Sequence, residues 1–215
     1  MTIRVGKEPN HKDFIAHESF LTSRSEFFRR AMNGKWAEAD SRVVKLPDDK
    51  PEAFALYLNF IYTGQLNTMR KSKEELALLA EDAFVIYITS EFQDIFRLYV
   101  LAEKLQDVSA KNAAITAAAE VTQLKSVTKS WTVPPLSTAN HVYEGTPEGS
   151  PARRFLADMW GTLPLSDILR IFQRDNIHKD FVADLGKVLD QTHTTNDLPH
   201  NMVAGNGAQA YMEEV

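Results

Sequence analysis

Phe14-Ile15-Ala16-His17, followed by Phe20-Leu21, Ser23, Ser25 and the pair Phe27-Phe28, is the stretch whose reading decides the fold. Asp13 to Ala16 has strand character, as does Thr2 to Val5. Gly6, Pro9 and Asn10 lie between the two runs as a hairpin connection would. After His17 the period changes, because Phe20, Leu21, Phe27, Phe28, Ala31 and Met32 recur at helical spacings. Ser23 or Ser25 suits the N-cap of the second of two short helices. Downstream, Arg42 to Leu46 returns to strand character and Pro47-Asp48-Asp49 signals a turn. Pro51 then fits a first helical turn, Phe54, Leu58, Ile61 and Tyr62 form one apolar stripe, and Gly64 ends the helix. Short strands alternating with amphipathic helices predict a small sheet covered by helices, an α+β domain.

The same residues resemble the BTB/POZ family. They comprise Phe14, His17, Leu21, Ser25, Phe27 and Phe28, then Val44-Lys45-Leu46-Pro47-Asp48-Asp49, and then Tyr57 to Phe60 running into Ile61-Tyr62-Thr63-Gly64. Members of that family are protein-interaction modules, so the resemblance directs attention to partners rather than to chemistry. Leu98 to Asp107 is similar to the family signature in which one helix ends and the next starts at Asp. Residues 136–146 and 150–158 resemble the helical extension that follows the BTB unit in many uncharacterised fungal proteins. The implied organisation is a BTB/POZ domain over 1–121 with a helical insertion at about 67–89. An all-α extension over 122–191 and a flexible tail over 192–215 complete it.

Beyond Gly64 the chain reads as mostly helical. Ser72-Lys73-Glu74-Glu75 is a capping-box pattern, with Leu76, Leu79, Ala80, Ala83, Phe84 and Tyr87 on one face. Ser90-Glu91-Phe92-Gln93 repeats it and predicts a new helix through Leu105. Ala110 to Val121 is alanine-rich and helical by propensity. Trp131-Thr132-Val133-Pro134-Pro135 interrupts helix, and Ser150-Pro151 is an N-cap and N1 pair. Further helices are expected at 166–175 and 179–190, and a frayed end from Thr192.

Composition bounds the function. The chain has 215 residues, 44% of them apolar, with 24 basic and 29 acidic side chains giving a net charge of −5. Phosphate binding needs a concentrated basic face, so interspersed charge argues against nucleic acid. Arg70-Lys71-Lys73, followed at once by Glu74-Glu75, reads as a solvated helix entry. Without cysteine there are no disulfides, thiol catalysis or thiolate metal sites, which suits a reducing intracellular compartment, cytoplasmic or nuclear. The longest greasy run, Ala83 to Ile88, is far short of the roughly 20 residues of a membrane span.

The sharpest site candidate is Trp36-Ala37-Glu38, expected in a loop before the strand at Val43-Val44. In family members that recruit a cullin ubiquitin-ligase scaffold, that loop carries a hydrophobic residue, any residue, then Glu. An exposed indole beside a carboxylate is a reasonable hot spot. The competing reading has Trp36 packed on its own domain and Glu38 merely solvated. His17 resembles the family's structural histidine at a strand-to-helix corner, and no Gly-x-Ser-x-Gly elbow accompanies it. The pairs His11/His17 and His193/His200 lack metal-ligand spacing, and Gly205-Asn206-Gly207 lacks the Lys-Ser or Lys-Thr of a phosphate loop. Arg153-Arg154 offers charge for an acidic partner or a phosphate, but a helix-surface pair facing Asp158 is the commoner case. No catalytic, metal or cofactor residue is assigned, and an enzyme is not expected. The implied function is that of an adaptor, a substrate receptor for a ubiquitin ligase. The alternative is a self-associating or partner-binding scaffold with no ubiquitin link. The chain opens at what reads as the first strand, so the strand-exchanged dimer built on an N-terminal helix is not expected.

Overall fold

A computed structural model describes residues 1–34, 37–69, 71–126, 128, 132–173, 176–195 and 207–214. Trp36, Arg70, Trp131, His200, Gly205 and Asn206, each named above, lie outside them, as does the side chain of His193.

Strand β1 (Thr2–Val5) is the centre of a three-stranded sheet of order β2-β1-β3. It pairs antiparallel with β2 (Lys12–Ile15), Thr2 facing Ile15 and Val5 facing Lys12, through a turn in which Gly6 has φ 96°. Two short helices, α1 (Glu18–Arg24) and α2 (Glu26–Ala31), and the single turn α3 (Ala37–Ser41) follow. They form a crossover to β3 (Val43–Leu46), which runs parallel to β1. Alternate residues Ile3, Val5, Val44 and Leu46 are buried, as the period of two requires of a sheet with one covered face. Helix α4 (Pro51–Thr63) places Pro51 in its first turn and buries Phe54, Tyr57, Phe60 and Ile61. It stops at Gly64, whose φ of 70° is the left-handed cap that glycine adopts without strain.

The segment after Gly64 departs from the expected pattern. The capping box at Ser72 is present, with Glu75 N–H on Ser72 Oγ and Ser72 N–H on Glu75 Oε2, but the helix it starts, α5 (Lys73–Ala77), is only five residues long. Helix α6 (Glu81–Leu105) then runs unbroken for 25 residues, so Ser90-Glu91 does not start a new helix. The physical reason is the stripe itself. Phe84, Ile88, Phe92, Ile95, Phe96 and Tyr99 continue in phase and are buried, and neither Gly nor Pro intervenes. Packing on both sides of Ser90 outweighs a local cap signal.

Helix α7 (Val108–Thr122) folds back on α6, followed by α8 (Leu136–Gly145), α9 (Pro151–Trp160), α10 (Leu165–Phe172) and α11 (Lys179–Thr195). Gly145 lies against Val100 of α6, and a Cβ there would collide with the valine methyl. One contiguous core joins Ile3, Phe28, Phe54 and Tyr57 to Phe92, Phe96, Phe155, Trp160 and Phe181. α6 is the spine that touches α4, α7 and α8.

Two expectations for the extension are corrected. Arg153 is not a surface arginine. It is 6% exposed, with Nε on Thr146 Oγ1 at 3.1 Å and Nη2 on the carbonyls of Tyr143, at 2.7 Å, and Thr146. Its guanidinium also lies 4.7 Å from the Tyr143 ring centroid. The fork of donors caps the C-terminal carbonyls of α8, a use of arginine that sequence spacing does not display. Part of the expected flexible end is also docked. Residues 207–214 carry a 3₁₀ turn (Ala208–Tyr211) that packs on α7 and α9, with Tyr211 only 4% exposed.

Candidate partner-binding face

The BTB-type residues assemble around the junction of α1, α2 and the C-terminus of α6. Ser25, fully buried, is the N-cap of α2: its Oγ accepts from Phe28 N–H at 3.2 Å and donates to the Leu105 carbonyl at 2.5 Å. One hydroxyl thereby satisfies an orphan donor of α2 and an orphan acceptor at the end of α6. Leu21 and Phe28 are fully buried beside it, and Phe27, half-buried, meets Phe28 edge-on at 5.3 Å. Phe14 packs edge-on against Phe54 at 5.1 Å.

Asp107 is the hub of this junction. It is 1% exposed and caps α7 by accepting from Ala110 N–H at 2.9 Å. Its other oxygen accepts from the Tyr57 hydroxyl at 3.1 Å and from Arg24 Nε at 3.3 Å. Burial, and then the neighbouring Asp107 charge, raise the Tyr57 pKa far above its ordinary value, so the phenol stays a donor. The Arg24 guanidinium covers the Phe60 ring at 4.7 Å. The sequence pointed to Asp107 as a helix start. Arg24 and Tyr57 as its partners, 83 and 50 residues away, have no local signal.

His17 sits at the corner between β2 and α1, as expected of a structural histidine. Its backbone N–H donates to the Tyr62 hydroxyl at 3.0 Å, and its Nδ1 lies 2.9 Å from the same oxygen. A phenol that accepts the N–H and donates to Nδ1 satisfies both contacts and ties the corner to α4.

Glu38 is placed differently from the expected loop. It lies in the first turn of α3, and its carbonyl accepts from Arg42 N–H at 2.9 Å. Arg42, at φ 57°, pairs with Glu18 of α1 and so fixes the exit from α3 into β3. Glu38 edges a groove of about 540 Å³ between α2, α3, β3 and the end of α6, lined also by Phe27, Arg30, Ala31, Lys45 and Lys104. Arg30 is paired with Glu26 at 3.0 Å and Lys104 with Asp49 at 2.5 Å. An apolar floor with a rim of both signs is the anatomy of a protein-binding surface rather than of a catalytic pocket. Among the described residues, no three His, Asp or Glu side chains gather as a metal site needs. No helix among them is long and apolar enough to cross a membrane.

A small sheet capped by paired helices, with a partly apolar groove between α2, α3, β3 and the end of α6, is the frame on which the comparisons bear. Residues 1–96 match the BTB/POZ domain model, and this chain carries a BTB/POZ domain there. The match ends within α6. Curated relatives agree. The chain is 29% identical over 115 residues to an Arabidopsis thaliana arm repeat protein interacting with ABF2, covering 48% of this chain and 16% of that protein. It is 32% identical over 75 residues to armadillo BTB Arabidopsis protein 1, covering 35% of this chain and 10% of the relative. A mouse GDNF-inducible zinc finger protein 1 is 28% identical over 82 residues, covering 38% of this chain and 12% of its own length. The alignments thus span a sixth or less of the relatives they match.

Proposed function

We propose that the chain is a non-enzymatic adaptor that binds a cullin-type ubiquitin-ligase scaffold through the α2–α3–β3 groove, with the helical extension free to hold a second protein. The reading places it inside the cell, in cytoplasm or nucleus, where such scaffolds operate. Trp36 is the aromatic anchor and Glu38 the adjoining acceptor. The observation that carries the reading is the position of Glu38 on the rim of a partly apolar groove beside Phe27, with Trp36 two positions before it in the chain. Groove and anchor together match the usual economy of interfaces, in which a few aromatic and charged residues dominate the energy.

The test is titration calorimetry of the full chain against a purified cullin N-terminal region. Trp36→Ala should raise Kd by at least about tenfold, and Glu38→Lys should raise it as well, because loss of a hot spot costs about 2 kcal/mol or more. Circular dichroism on both variants establishes that they remain folded. No measurable cullin binding by the wild type sinks the proposal. A scaffold with no ubiquitin link is then the reading left. The exposed ring pair of Phe20 (44%) and Tyr62 (41%), 4.9 Å apart, together with the exposed Ile15 (86%), supports that second reading.

A further inference from the structure

The docked segment 207–214 is held in the way a peptide is held in a recognition groove. Asn112 of α7 clasps the main chain of Glu213 from both sides, its Nδ2 donating to the carbonyl at 2.8 Å and its Oδ1 accepting from the N–H at 2.8 Å. Such a clasp reads extended backbone and ignores the side chain. Met212, the first residue past the 3₁₀ turn, is extended at φ −87° and ψ 150° and 39% exposed, while Tyr211 and Glu213 on either side of it face the protein. Tyr211 enters a slot beside Phe155, edge-on at 5.2 Å, and its hydroxyl donates to Asp158 Oδ2 at 2.6 Å. The Glu213 carboxylate meets Lys111 Nζ at 2.6 Å and the Tyr99 hydroxyl at 3.5 Å. Alternate side chains in pockets, with main-chain bonds between them, form the recurring mode of extended-peptide recognition.

The walls of this groove are also held by core residues outside the segment. Asn112 and Lys111 project from α7, which is held in the core by Ala114, Ile115 and Ala118. Phe155 and Asp158 belong to α9, anchored by Leu156, Met159 and Trp160. We infer that the α7–α9 groove is a recognition site for an extended Tyr-x-Glu peptide, filled in cis by residues 211–213 and open in trans to a partner segment of the same chemistry. The site lies between α7 and α9, and its test does not involve the cullin reading. A tethered segment competes at an effective concentration on the order of millimolar, so a free peptide is largely excluded from the wild type.

The experiment is fluorescence anisotropy with a labelled eight-residue peptide of sequence 207–214, titrated with the full chain. Tyr211→Ala in the full chain empties the slot, and the peptide should bind this variant at least tenfold more tightly than the wild type. Adding Asn112→Ala should then weaken binding at least tenfold, as should Tyr→Ala in the peptide itself. Glu213→Lys, which sets a cation against Lys111, is a second way to open the groove should Tyr211→Ala fail to fold. The inference is overturned if the peptide binds no folded open variant more tightly than wild type. It is equally overturned if both variants lose their cooperative thermal transition, since the segment would then be part of the core.

Discussion

Replacing Asp107 by alanine tests the junction on which the partner face is built. Three consequences follow from its geometry. The N-cap of α7 is lost, which costs roughly 0.5–2 kcal/mol. The Tyr57 hydroxyl, in a residue 0% exposed, is left without its acceptor, a further penalty of about 1–3 kcal/mol. The Arg24 contact adds little, because that side chain is 26% exposed and keeps water. The sum is about 2–5 kcal/mol. With a urea m-value of about 2–3 kcal/mol/M, the midpoint falls by roughly 1–2 M. Asp107→Asn retains an oxygen for the Ala110 N–H and an amide within reach of Tyr57, so it should lose less than half as much. Adding Tyr57→Phe to Asp107→Ala removes the orphaned hydroxyl, and the double mutant should be less destabilised than the two single changes together by about 1 kcal/mol. An Asp107→Ala midpoint within about 0.2 M of wild type refutes the hub, and strict additivity in the cycle refutes the Tyr57 bond.

Two further outcomes are expected. Gly145→Ala drives a methyl into Val100 and should cost about 1–3 kcal/mol by thermal melting, with Val100→Ala in the same chain restoring part of the loss; a neutral Gly145→Ala would show that α8 and α6 are not in contact there. Asp158 has its pKa raised above 3.8, chiefly by burial and against the opposing Tyr211 hydrogen bond and Arg154 charge. An acid whose folded pKa is raised contributes stability that is full below its unfolded value and is lost as pH climbs through the folded one. Asp158→Asn, which still accepts from Tyr211, should therefore gain on wild type in chemical denaturation as pH is taken from about 3.5 to 7. A constant gap across that range would contradict the shift.

Much of the BTB unit was legible because its signals are local. Ser25, Pro51, Gly64, Ser72 and Asp107 each cap or punctuate a helix through neighbours within four residues, and the structure uses all five in those roles. Failures came where tertiary packing overrode such a signal. Ser90-Glu91 carries a start pattern inside a stripe that is buried just before it at Ile88 and just after it at Phe92, so the helix runs through it. Arg153 reads as a surface cation until α8 delivers its carbonyl end to it. Tyr211 and Glu213 gave no periodic signal, because the segment has one turn of 3₁₀ helix and is fixed by side chains a hundred residues earlier. Of the groove, Glu38 stood out in the sequence, but neither its helical turn nor Lys104, which lines the same groove from a distant helix, did.

The continuity of α6 carries the strongest functional consequence. Its last turn supplies Lys104 to the rim of the Glu38 groove and the Leu105 carbonyl to Ser25, while its middle carries Phe96 onto Phe155 of α9 at 5.9 Å. The chain turns directly into α7 at Asp107, and α7 presents Asn112 and Lys111 to the docked segment. The proposed partner face and the proposed peptide groove therefore share two helices joined by a left-handed residue, Gln106, and one buried cap. A contiguous core, of which Tyr211 is itself a member, spans the two. On the proposed adaptor reading two proteins are held at a fixed distance, and the unbroken α6 with the tight turn into α7 supplies that geometry.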